Sequence, residues 1–126
     1  MASEIVAPAT LEQRGVPSEG TVTAAIADAV EGYRGVFGDR LAQVWLFGSR
    51  AVGTHQPNSD VDLLVVLHEE GPIGSELDLL YSVAEPIRLA HGVFIDGHPT
   101  TLECMEEEDD DFHYFIRREG KRVDAL

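Results

Sequence analysis

A small α/β (α+β) domain, with a mixed β-sheet and helices packed on one face, is the fold class this sequence predicts. Three observations carry it. Apolar residues recur at helical spacing over 21–37 and again over 75–91. Between them lie two compact apolar runs, 44–47 and 60–67, separated by a stretch of Gly, Pro, Asn, Thr and Ser. A third apolar run at 93–95 and an aromatic segment near the C-terminus follow. The resulting order of helix, strand, loop, strand, helix, strand, helix buries its apolar surface best as helices laid on a small sheet.

Taken in order, residues 1–20 have no clear period. Pro8, Gly15, Pro17 and Gly20 break them up, so they read as a partly ordered arm with a helical turn at 11–14. Residues 21–126 form the single domain that a 126-residue chain allows. Thr21 is the expected N-cap of the first helix. Val22, Ile26, Ala29, Val30, Tyr33 and Phe37 make its apolar face, and Gly38 its stop, while Gly32 and Gly35 weaken its last turns. Strand 44–47 places Trp45 as a core residue, with stacking on a nucleobase as the alternative. Loop 48–59 contains His55, either an exposed loop residue or a contact to phosphate or metal. Strand 60–67 opens with two carboxylates, and 68–72 is a solvated connection. The second helix carries Leu77, Leu80, Tyr81, Ala84 and Ile87 on one face. Pro86 removes one of its hydrogen bonds and is expected to kink it, and His91 stands near its end before Gly92.

Composition narrows the function. The formal net charge is −14, which repels nucleic-acid phosphates and argues against a polymerase or a tRNA-tailing enzyme. It attracts cations, cationic small molecules or a basic protein. No apolar run is long enough to cross a membrane, and no signal pattern opens the chain. Cys104 is the only cysteine, so an intrachain disulfide is excluded and a cytoplasmic location is expected.

The chemistry concentrates between Val44 and Leu67. Asp60 and Asp62 are two apart on a strand and point to the same face. Two ionised carboxylates there repel each other, and a bound cation relieves the conflict. Mg²⁺ takes oxygen ligands and commonly joins one or two carboxylates to substrate phosphates. Gly48 permits close approach of a ligand to the backbone, and Ser49 adds a hydroxyl beside it. Further along, Asp96 ends a short apolar run and either joins those carboxylates or starts a turn with Gly97. Glu103, on an expected continuation of the strand, is the reserve. Seven carboxylates fall within nine residues from Glu103 to Asp111. They read as a solvated helix start or as a docking surface for a basic partner. Phe112, Tyr114, Phe115 and Ile116 supply apolar anchors beyond them, and Gly120 closes the last helix.

Gly48-Ser49, ten intervening residues, then Asp60-Val61-Asp62, resembles the signature of the polymerase-β-like nucleotidyltransferase superfamily, specifically its minimal nucleotidyltransferase branch. The likeness is strong at the centre and weaker towards both ends of 22–123. It departs at Val52, where the branch commonly has Arg, so Arg50 is left to carry the phosphate role. The resemblance implies the polymerase-β-like fold and transfer of a nucleoside monophosphate from an NTP, with ATP first choice, to a hydroxyl. It implies Gly48, Ser49 and Arg50 as nucleotide-binding residues. Asp60, Asp62 and Asp96 are its catalytic and metal-holding carboxylates, serving two Mg²⁺ ions. The charge of −14 and the aromatic segment beside the acidic run make a protein partner the expected acceptor, a HEPN-type toxin first, as in toxin–antitoxin pairs of such domains; a homodimer is the alternative assembly. A non-catalytic antitoxin and an aminoglycoside-type nucleotidyltransferase are the alternatives.

Overall fold

The computed structural model describes residues 16–107 and 110–125. Most of the expected N-terminal arm, with its helical turn at 11–14, lies outside the described residues, as do residues 108 and 109 of the acidic run. The first helix, α1 (Glu19–Phe37), starts two residues earlier than Thr21. Ser18 caps it: its Oγ accepts from the Thr21 N–H at 3.0 Å, so the hydroxyl three residues upstream satisfies a free donor of the first turn. Gly38, at φ 56°, ends α1, and a single 3-10 turn leads into β1 (Leu41–Phe47).

Beyond β1 the expected loop contains one short helix, α2 (Ser49–Val52), before β2 (Val61–Leu67). Helix α3 (Ile73–His91) runs unbroken through Pro86. Pro86 is exposed, so the carbonyl deprived of its N–H partner stays near water and the cost is small. Strand β3 (Ile95–Thr101) passes straight through Gly97-His98-Pro99, which resemble a turn in sequence. It pairs on one side only, with β2, and an edge strand tolerates a residue without an N–H. The strand ends at Thr101, whose hydroxyl accepts from the Cys104 N–H and caps α4 (Leu102–Met105). Glu103 is therefore on a short helix and not on a strand. Helix α5 (Asp111–Glu119), capped by Asp110, and β4 (Lys121–Arg122) complete the chain.

The sheet order is β3-β2-β1-β4. Strand β1 runs antiparallel to β2 and β4, while β2 and β3 are parallel. The long helices α1 and α3 lie on one face. There Tyr33, Phe37, Leu80, Val83 and Ile87 pack against Val44, Leu46, Val61, Leu63, Val65 and Leu67. The alternate residues Leu64 and Val66 face the other way and meet Met105 and Ile116, flanked by Trp45 and Phe47. The short helices α4 and α5 thus cover part of the second face. Among the described residues, the remainder of that face, at the ends of β1, β2 and β3, is left open.

Candidate active site

The open patch is built by register. Phe47 stands opposite Asp62 on the antiparallel side, and Asp62 opposite Asp96 on the parallel side. Even-numbered residues of β2 and β3 point away from α1 and α3, so Asp62, Asp96 and His98 emerge together on the same face. One ligand atom from each lies within 4.8 Å of the others. His98 Nε2 is 3.2 Å from an Asp96 oxygen and 4.0 Å from Asp62 Oδ1. The His98 ring stands edge-on to Phe47, with centroids 5.3 Å apart, and Phe47 in turn meets Phe112 at 5.6 Å.

Gly48 explains how Asp62 is seated. It has φ 76°, a region side chains rarely adopt, and a Cβ there would run into the Asp62 carboxylate. The glycine thus opens the space that the carboxylate fills. Gly48 leads directly into α2, which brings Ser49 beside it. The Asp62 carboxyl is held above the ordinary carboxylate range, first by partial burial, then by the charges of Asp96 and Asp60, with His98 opposing the shift. Asp60 is exposed and falls outside the close cluster, yet is near enough for its charge to act on Asp62. Glu103 is exposed on α4 and is not among the clustered groups, so of the two third-carboxylate candidates it is Asp96 that stands beside Asp62.

Arg50 is placed differently from a free phosphate ligand. It is buried, and its guanidinium donates to the carbonyls of Ser59 and Pro57 at 3.1 and 3.0 Å, with Glu19 at 3.8 Å. It ties the loop that delivers Asp60 back onto α2. His55 also reaches Glu19, at 3.3 Å. Trp45 donates to Gln43 and lies under Arg122, half-buried against the second-face core.

Of the concavities near the carboxylates, two open beside Gly48 and Asp60. One, of about 290 Å³, is lined by Phe47, Gly48, Val52, Phe112 and Phe115 among others, and is mainly apolar. The other, of about 280 Å³, includes Asp60, Ser59, Asn58 and Phe94.

Residues 31–124 match the family model described as a nucleotidyltransferase domain. That span is most of the chain. The protein belongs to the nucleotidyltransferase domain family. It is accordingly a transferase of nucleotidyl groups. Two solved structures share the nucleotidyltransferase's fold. A provisionally assigned nucleotidyltransferase from Sulfolobus solfataricus aligns with TM-score 0.50 and 16% identity, over 78% of this chain and 80% of that one. A toxin–antitoxin structure with AMP-PNP aligns with TM-score 0.51 and 18% identity, over 77% of this chain and 70% of the other. At such identities the likeness is one of fold. No curated protein matches the nucleotidyltransferase in sequence.

The neighbour of the two carboxylates that the sequence did not single out is His98. A signal for it existed: Asp96 and His98 have strand spacing. It was hidden because Gly97 and Pro99 flank His98 and argue against a strand.

Proposed function

We propose that the protein transfers a nucleoside monophosphate from an NTP, ATP first, to a hydroxyl on a protein partner, using a divalent cation held by Asp62 and Asp96 with Asp60 beside them. The observation that carries this reading is the register that sets Asp62 directly against Asp96, beneath a glycine whose missing Cβ makes room for the carboxylate. The donor set fits a divalent cation: Asp62 and Asp96 on adjacent strands with His98 beside them, and an exposed third carboxylate at the mouth. Bound there, such an ion would supply charge neutralisation on the phosphates and lower the pKa of the attacking hydroxyl; the family resemblance points to two divalent ions.

The chain's own residues position the reactants. Gly48 and Ser49 offer an open backbone and a hydroxyl to the β- and γ-phosphates. Arg50 contributes by holding the loop of Asp60 in place. The apolar hollow beside Gly48, walled by Phe47 and Phe112, is the adjacent surface for the base. Attack on the α-phosphorus forms the new P–O bond as the bond to pyrophosphate breaks, and catalysis is positioning plus charge neutralisation.

The protein acceptor is supported by charge and shape. A net charge of −14 favours a basic surface, and Phe112, Tyr114 and Phe115 are exposed beside the acidic stretch. A HEPN-type partner is the first one to test. The structural neighbour crystallised as a toxin–antitoxin with AMP-PNP supports testing both a nucleotide and a protein partner. The experiment incubates the protein with the product of the neighbouring gene, ATP and Mg²⁺, and reads the neighbour's intact mass. Added nucleotide units that disappear with Asp62→Asn are expected. Tight binding with no mass change would replace this reading with that of a non-catalytic binding module.

A further inference from the structure

We propose that His98 is a nitrogen ligand of the cation site, so that the site prefers a first-row transition dication such as Mn²⁺ to Mg²⁺. This deepens the nucleotidyl-transfer reading, and it rests on that reading for the presence of an ion.

Strand geometry commits His98 to the carboxylate face. It follows Asp96 by two residues on β3, and the strand does not turn between them. Its partner in register is Leu64, one pleat beyond Asp62, so the imidazole leans back over the Asp62–Asp96 pair. Nε2 is the atom that faces them, at 3.2 Å from Asp96 Oδ2 and 4.0 Å from Asp62 Oδ1. Neighbouring ligands of a six-coordinate ion with bonds of about 2.1 Å stand roughly 3 Å apart, so the Asp96–His98 separation already suits one shared ion. Phe47 holds the ring from the side, 5.3 Å between centroids, without occupying Nε2.

The donor set then decides the ion. Two carboxylates from adjacent strands and one imidazole make a mixed oxygen–nitrogen site. Mg²⁺ favours oxygen and keeps its waters, whereas first-row transition ions gain from imidazole. Mn²⁺ is the weakest binder of that series, which makes it the most demanding probe.

The test uses the whole chain and Mn²⁺ alone, without nucleotide. Titration followed by electron paramagnetic resonance counts bound Mn²⁺, and pulsed measurements read the modulation from a directly bonded ¹⁴N. The native chain is expected to bind Mn²⁺ with a ¹⁴N coupling and to yield it only to a large excess of Mg²⁺. His98→Gln, at a partly exposed position, is expected to keep the fold by circular dichroism. It should lose the coupling and weaken Mn²⁺ binding by about tenfold or more, with a smaller change for Mg²⁺. No Mn²⁺ binding, no ¹⁴N coupling, or a coupling that persists in His98→Gln would each overturn the assignment. Nucleotidyl transfer with Mg²⁺ in a protein that shows no ¹⁴N coupling would refute the His98 role and leave the function standing. Nitrogen ligation in a protein that transfers nothing would do the reverse.

Discussion

Asp62 carries a conflict that its surroundings do not resolve. Its carboxyl is raised by partial burial and by two neighbouring negative charges. A carboxyl whose folded pKa lies above its unfolded value contributes stability at low pH and loses it as pH rises through the folded value. At neutral pH, with metal removed by chelation, native Asp62 is therefore destabilising. Asp62→Asn is expected to raise the melting temperature of the chelated protein at pH 7. The gain should fade as pH falls and Asp62 itself becomes protonated in both states. Added divalent cation should reverse the order, stabilising the native chain and leaving Asp62→Asn unchanged. Thermal melts across pH, with and without metal, check both signs. Gly97 shows the same economy from the opposite face. A Cβ there would come 2.9 Å from the Tyr33 hydroxyl, a buried group without a hydrogen-bond partner among the described residues.

Helix α1 shows how one residue type can mean two things within an element. Gly32 and Gly35 both lower helix propensity, and by sequence they are equivalent. In the fold they are not. A Cβ on Gly32 would come within 2.7 Å of a Val83 methyl, because α1 and α3 approach closely there. A Cβ on Gly35 would meet no side chain or other element within 4 Å among the described residues. Gly35→Ala should therefore stabilise by about 0.5–1 kcal/mol through propensity alone. Gly32→Ala should lose that gain to overpacking and destabilise by about 1–3 kcal/mol. Urea denaturation of the two variants separates them. At the start of α3 the element is tied differently. Glu76 is buried and takes an ion pair at 2.5 Å from Arg40, which links the helix to the turn before β1.

Over the whole molecule, 23 acidic residues against 9 Lys and Arg leave a chain that repels itself. Screening should relieve this. The melting temperature is expected to rise between about 10 mM and 150 mM NaCl, where the Debye length falls from roughly 30 to 8 Å. A melt that is independent of salt would mean that local pairs cancel the repulsion. The same field draws cations towards the open end of the sheet, where the carboxylates emerge.

Much of this was legible in the sequence, for a physical reason. Helix and strand periods depend on which residues are apolar, so α1, β1, β2 and α3 could be read from pattern alone; the spacing of Gly48, Ser49, Asp60 and Asp62 marked them as candidates, but Asp60 precedes β2 and stands outside the Asp62–Asp96–His98 cluster. Register could not be read, because it is decided by which strands find each other. Only the parallel pairing of β2 with β3 sets Asp62 against Asp96 and makes Pro99 tolerable on an edge. That pairing also turns His98 from a residue in an apparent turn into a neighbour of both carboxylates. Arg50, expected at a phosphate, and Gly32 could not be placed either, since a guanidinium looks the same in sequence whether it faces a phosphate or two loop carbonyls, and a glycine the same whether it faces water or Val83. Sequence determined the elements and the candidate residues for the chemistry, because those depend on local spacing. The tertiary structure decided which of them meet, because contact depends on chain segments far apart in sequence.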